Sequence, residues 1–267
     1  MQSARTLNEI VQRRPPGVTG HQWSCATRTR FDFVVFAADR HSPLFGVEFD
    51  DPGEHTLDTR RSQRMKHAVW AAVDLPVLVV ESPTLRPAVH GRGIVDYVVD
   101  ARAYAAAAPE HDDESQVEGF CAPPTYRDII GRLPDGRSGF VNDLGAVARA
   151  AAIEAYVDRQ LADPIIRGLH VEWRDGCAEG WGWIEVRDGE YIFERTRVAP
   201  YRFSCGVDPG RLAEDLAALA IGEQLKVLVS TEPPLRTRRQ LEHELVELLR
   251  RHDEMAGDYL FDHISFE

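Results

Sequence analysis

Two short apolar runs, Phe31 to Ala37 and Leu44 to Phe49, constrain the fold most, because each carries carboxylates where a buried strand should have none. The stretch reads FDFVVFAADRHSPLFGVEFDDPGEHTLDTRRSQRMK over residues 31–66. Asp32 opens the first run, and Glu48, Asp50 and Asp51 close the second. Side chains on a strand alternate faces, so Glu48 and Asp50 share one face while Phe49 enters the opposite layer. If the two strands pair, Asp32, Glu48 and Asp50 converge at one edge of a sheet. Carboxylates gathered in this way repel one another unless a cation or a proton lies among them. Each acid taken singly reads better as a solvated strand cap; three bracketing two apolar strands point to a site.

The chain carries a net charge of −12, unevenly spread. Residues 1–100 contain 12 basic and 12 acidic residues, and the remainder contains 19 and 31. The excess of acid therefore lies wholly in the second part, and the first is left electrically open to a nucleic-acid partner. No apolar run is long enough to span a membrane, and the first residues lack the apolar core of a signal peptide, so no membrane partner and a cytoplasmic location are expected. Cys25, Cys121, Cys177 and Cys205 form no CxxC pair, which argues against both a structural zinc site and a disulfide framework.

Along the chain, residues 4–13 read as a short helix and His21 to Thr29 as a weak first strand. The two runs above supply the next strands. Arg60 to Val73 has helical periodicity with Met65, Val69, Ala72 and Val73 on one stripe. Leu75 to Val80 reads as a buried strand and Gly93 to Ala108 as a helix. The acidic stretch at 109–119 is read as a linker or exposed loop. The expected organisation is one domain over 1–108 and a second, α+β domain over 120–267. In the second, a helix spans Asp143 to Asp163. Gly168 to Trp173, Trp181 to Arg187 and Glu190 to Arg197 form an antiparallel meander, with Asp188-Gly189 as a two-residue hairpin turn. That pairing predicts Ile184, Val186, Tyr191 and Phe193 on one face and Trp181 and Trp183 on the other. The tryptophans there would lie under a covering layer or stack on a partner. A helix starts at Asp208-Pro209 and runs to Gly222, Gln224 to Ser230 reads as a strand, and Thr237 to His252 closes the chain as a helix with Leu241, Leu245, Leu248 and Leu249 inward.

The order Asp32, Glu48 and then a basic residue resembles the PD-(D/E)XK, or restriction-endonuclease-like, nuclease superfamily. VEFDDPGEH, followed by a basic helix and LPVLVV, resembles the branch that includes the very-short-patch-repair endonuclease and related uncharacterised bacterial domains, which read E-x-D-[GD]-x-x-H. The resemblance covers about residues 18–81. It implies an α/β (α+β) fold with a mixed central sheet flanked by helices. It also implies a Mg²⁺- or Mn²⁺-dependent endonuclease or exonuclease with Asp32 and Glu48 as metal ligands, Asp50 as a further ligand, and a basic group orienting water. Three departures stand out. Asp50 occupies the position where most of the superfamily has lysine, which leaves Lys66 on the following helix for that role. His55 falls one residue later than in the pattern. Gln63 and Val79 stand where related domains often have Asp and Arg. Asp51, His55, Gln63 and Glu9 are candidate accessory residues.

Two functions follow as expectations. The first is hydrolysis of phosphodiester bonds in nucleic acid, DNA more than RNA. The alternative is a catalytically inactive binding module on the same fold, acting with a protein partner through the acidic second region. A third, weaker reading is an acidic mimic of nucleic acid.

Overall fold

The computed structural model describes residues 2–11, 13–39, 41–51, 57–107, 126–132, 136, 138–202, 204–228, 230–231, 233–257 and 260–261. Strand β1 (Gln2–Thr6) leads through α1 (Leu7–Ile10) and α2 (Gly20–Ala26) to the two central strands β2 (Arg30–Phe36) and β3 (Pro43–Asp50). Helix α3 (Leu57–Val73), strand β4 (Val77–Glu81) and helix α4 (Arg92–Ala107) complete the first part. A small ribbon, β5 (Ile130–Arg132) with β6 (Ser138–Phe140), and α5 (Ala146–Val157) precede the meander β7 (Arg167–Glu172), β8 (Ala178–Arg187) and β9 (Glu190–Tyr201). Helix α6 (Pro209–Val227), β10 (Arg236–Thr237), α7 (Arg238–Arg250) and β11 (Leu260–Phe261) follow. The fold is mixed α+β. No described helix is long and apolar enough to cross a membrane.

One mixed sheet runs through both parts in the order β1-β2-β3-β4-β9-β8-β7-β11, with β10 pairing to β9. Strands β3 and β4 are parallel, and α3 is the crossover between them. The junction is β4 against β9, antiparallel from Val77 opposite Tyr201 to Glu81 opposite Arg197. The regions distinguished by charge are thus joined edge to edge in a single sheet. The acidic stretch at 109–119 lies outside the described residues.

Burial follows strand alternation in β3 and β4, whereas in β2 Phe31 packs in the layer opposite Phe33. Phe33, Val35, Phe45, Val47, Leu78, Val80 and Val198 face α4 and α6, with Ile94, Val98, Leu212 and Leu216 filling the layer. On the opposite face, Phe31, Val34, Val77 and Val79 pack under α3 through Val69 and Trp70. At the far end of that same face, Leu169, Val171, Trp181 and Trp183 lie under α7 through Leu241 and Leu248. Between α3 and α7 this face carries a cleft.

Several expectations are corrected. His21 to Thr29 is mostly helix rather than strand: Thr19 accepts a hydrogen bond from the Gln22 N–H at 3.2 Å, and Gln22 reaches back to the Thr19 N–H at 2.8 Å. This T-x-x-Q capping box is local and stronger than the weak alternation that suggested a strand. The expected helix over 4–13 is divided, because residues through Thr6 pair with β2. The expected helix over 143–163 is shorter, as α5 shows. Of the expected strand Gln224 to Ser230, the residues through Val227 are helix; α6 continues through Gly222, which lies against Ala148 of α5, where a Cβ would stand 2.7 Å from the alanine methyl. Leu249 is exposed on α7.

The hairpin turn at Asp188-Gly189 forms as expected, but the faces differ. A register shift between Glu185 and Arg187 sets Ile184 opposite Ile192 and Trp183 opposite Phe193. A bulge of one residue exchanges the faces of everything beyond it. Ile184, Val186 and Ile192 therefore face α5 and α6, while Tyr191 and Phe193 join the two tryptophans. Trp181 and Trp183 are buried and cannot serve as a stacking platform.

Helix α6 also brings charge into the interior. Glu214 bonds His170 Nδ1 at 2.6 Å, and both are buried. Asp215 has Arg127 at 3.2 Å and Arg149 at 3.7 Å, with neither in hydrogen-bonding geometry. Burial pushes the Asp215 carboxyl up to about 7 against the pull of both arginines. A carboxyl whose folded pKa is raised favours the folded state when protonated. Its contribution is therefore complete below its ordinary value of 3.8 and is lost as pH rises through about 7. Asp215→Asn is expected to flatten this upper part of the profile, measured as urea midpoint against pH. A profile that still falls through pH 7 in the variant would exclude Asp215 as its source.

Candidate functional site

The site is assembled by the β2-β3-α3-β4 unit. Asp32 on β2 accepts a 2.7 Å hydrogen bond from the backbone N–H of Phe49 on β3. Glu48 follows the alternation that buries Phe45, Val47 and Phe49 on the other side, and so points beneath α3. There its Oε2 meets the Lys66 Nζ at 2.7 Å. Glu48 is 6% exposed and Lys66 9%. Lys66 reaches this position because α3 turns the same stripe inward that buries Val69 and Trp70, and its ammonium also lies 5.5 Å from the Trp70 ring centroid. Asp50, two residues beyond Glu48 on the same face, accepts from Gln63 Nε2 at 2.9 Å.

The electrostatics are those of a half-neutralised acid cluster. Burial pushes the Glu48 carboxyl above its usual range; Lys66 pulls it down without cancelling the effect, and Asp32 and Asp50 add to the rise. Burial likewise raises Asp32, opposed by the Phe49 N–H, Lys66 and Arg30. His67, beside Lys66, is lowered by burial and by that ammonium. The second carboxylate oxygen of Glu48, Oε1, is buried with no hydrogen-bond partner. An orphaned buried carboxylate oxygen is costly.

Among the described residues, no group of three or more His, Cys, Asp and Glu side chains is arranged to hold a metal ion. The described residues alone therefore build no all-protein cage. The donors present fit a cation such as Mg²⁺, which needs hard oxygen ligands and usually keeps several waters with only one or two carboxylates. Glu48 Oε1 is the carboxylate oxygen of the site with an unmet demand, and Gln63 Oε1 is buried without a partner as well.

The sequence-based candidates separate clearly. Glu48, Lys66, Asp50 and Gln63 are brought together in pairs, and Asp32 stands next to them. Asp51 turns toward Arg86, at 3.6 Å. Glu9 caps α1 by accepting from the Thr6 N–H at 2.9 Å and takes no part in the cluster. His55 lies outside the described residues.

Sequence reasoning missed the other wall. Asp50 opposes Glu81 across the parallel β3–β4 pair, and Glu81 opposes Arg197 across β4–β9. Asp50, Gln63, Arg64, His67, Glu81, Cys177 and Arg197 line a cleft of about 1040 Å³. The only local signal was Glu81 itself, an acid closing an apolar run just as Asp50 does. Burial pushes the Cys177 thiol up to about 11, so it is not a ready nucleophile at neutral pH.

Comparison with protein-family models, with curated proteins and with solved structures finds no significant match.

Proposed function

We propose that the chain is a nuclease-like phosphodiester hydrolase of the restriction-endonuclease-like class, with Asp32 and Glu48 holding Mg²⁺ or Mn²⁺ and Lys66 orienting the attacking water. The observation that carries this reading is the buried contact between Lys66 and Glu48, with Glu48 Oε1 left orphaned beside Asp32. The strand order around it agrees: an acid-bearing strand, an antiparallel neighbour with the second acid, a crossover helix with the lysine, and a parallel strand.

A divalent cation held by Asp32 and Glu48 would supply neutralisation of charge developing on the phosphate and would make water a better nucleophile. The remaining work belongs to the chain. Asp32 is pinned by the Phe49 N–H, so its carboxylate is preorganised rather than mobile. Lys66 is held against Glu48 and offers further N–H donors, since an ammonium has three. Asp50, in the usual lysine position, is held by Gln63, while Lys66 meets Glu48.

Incubation with plasmid, single-stranded DNA and RNA in Mg²⁺ and Mn²⁺ tests the assignment. Asp32→Ala and Glu48→Ala are each expected to lower cleavage on the order of a hundredfold or more. Cleavage that survives both changes would remove these residues from the chemistry.

A second reading is a non-catalytic binding module. It is favoured by the same ion pair seen from the other side: Lys66 already balances Glu48, and Gln63 already engages Asp50. This reading expects no heat on calorimetric titration with Mg²⁺ or Mn²⁺ and no cleavage by the unaltered chain.

A further inference from the structure

The sheet face beneath α3 and α7 is covered at its two ends and open between them. The 1040 Å³ cleft beside the carboxylates is adjoined there by a second cleft of about 770 Å³ of mixed charge, bounded by Arg174, Arg195 and Arg251 together with Glu179, Asp253 and Glu254. Both clefts share Asp175 and Arg197. Arg197 projects from β9 on the same face as Asp50, two strands away, or roughly 10 Å at ordinary strand spacing. Its guanidinium touches Glu81 at 3.3 Å and Asp175 at 3.0 Å. Those contacts engage two of the five N–H donors of a guanidinium. The Asp175 side chain is 58% exposed on a turn, where its other oxygen accepts from the Cys177 N–H, and a solvent-exposed ion pair of this kind is cheaply exchanged.

From this we infer that Arg197 is a phosphate-binding residue that holds a nucleic-acid strand across the junction of the two clefts, exchanging Asp175 for a backbone phosphate. The inference rests on the phosphodiester reading above and gives the second part of the chain its share of the site. Roughly 10 Å from Asp50 is a span of only a few nucleotides along one strand, whose axial rise in a duplex is ~3.4 Å per nucleotide. A strand whose scissile phosphate lies at Asp32 and Glu48 therefore passes Arg197 within a few nucleotides. A planar guanidinium binds phosphate bidentately, which an ammonium cannot do. Glu81 stays in place on the sheet and orients the fork, while Asp175 competes with the phosphate.

The test is anisotropy of a short fluorescent DNA strand, and of its duplex, titrated in EDTA over a range of salt. EDTA separates binding from cutting. Arg197→Gln is expected to weaken binding about tenfold and to reduce the slope of log affinity against log salt by about one. Arg197→Lys should restore the slope but only part of the affinity. Asp175→Asn, on an exposed turn where the fold tolerates it, should tighten binding severalfold. If Arg197 merely braces the strands, Arg197→Gln lowers Tm and leaves affinity unchanged, and that result overturns the inference. Should Arg197→Gln not fold, Asp175→Asn decides alone, and unchanged or weaker affinity overturns it. Absence of DNA binding by the unaltered chain overturns it as well. Arg197-dependent binding without cleavage in Mg²⁺ or Mn²⁺ removes the hydrolase reading alone. Cleavage indifferent to Arg197 and Asp175 removes this inference alone.

Discussion

Lys66→Met is expected to lower the unfolding free energy by about 3–5 kcal/mol at neutral pH, because it leaves the Glu48 carboxylate buried without a counter-charge. For a chain of this size that corresponds to a fall in Tm on the order of 10 °C. Glu48 is 6% exposed, its Oε2 accepts from Lys66, and Oε1 has no partner, so the variant strands both oxygens. The dependence on pH identifies the cause. The folded pKa of Glu48 already stands above its ordinary value through burial, and loss of the ammonium raises it further. A raised carboxyl favours the fold at low pH and loses that contribution as pH rises through the folded value. The deficit of Lys66→Met should therefore shrink on acidification, and the double variant Glu48→Gln with Lys66→Met should recover much of it at neutral pH. Urea denaturation in EDTA across pH measures both. A deficit independent of pH would point to lost packing of the lysine stem on Trp70 instead. Where the chain cuts nucleic acid, the same change should lower the cleavage rate by about 10²–10³, the range for loss of one positioned donor.

Gly180→Val is expected to prevent the chain from folding, and Gly180→Ala to cost about 3 kcal/mol or more. A Cβ on Gly180 would stand 2.1 Å from the carbonyl carbon of Ala213 and 2.2 Å from the nitrogen of Glu214, both backbone atoms of α6. Backbone of a helix cannot step aside as a side chain can. The helix is anchored at that point, since Thr196 Oγ1 on β9 donates to the Ala213 carbonyl at 2.5 Å. Displacing α6 would open the layer containing Leu212 and Leu216 and disturb the buried Glu214–His170 pair. Gly182 gives the contrast: its added Cβ would meet Ile221 Cδ1 at 2.9 Å, the movable end of a side chain, so Gly182→Ala should cost less. Gly93, in α4, has nothing within 4 Å of an added Cβ, and Gly93→Ala should stabilise by about 0.5–1 kcal/mol through helix propensity. Thermal melts of the set give the order; equal losses at Gly180 and Gly182 would contradict the close approach of α6 at Ala213.

Features with local causes were legible in the sequence. β2, β3, α3 and β4 follow from apolar periodicity and turn residues, and the hairpin turn follows from Asp188-Gly189. The starts of α6 and α7 are set by Asp208 and Thr237, whose side chains accept from Arg211 and Gln240. The same kind of signal was present at Thr19 and Gln22 but yielded to a misleading alternation. The faces of the hairpin failed for another reason: a bulge is one unpaired residue, and nothing in a period-two pattern announces it.

Alternation alone placed Glu48 and Asp50 on one strand face, and spacing placed Lys66 one helix later. That face turns toward Lys66 only because α3 covers it, and Arg197 enters the same cleft only because β4 pairs with β9, more than a hundred residues away in sequence. Local patterns record how a segment meets water and how it caps its own ends. Pairing between distant segments depends on the apolar surface and backbone groups that each leaves unsatisfied, and the packed sheet decides which partner meets that need.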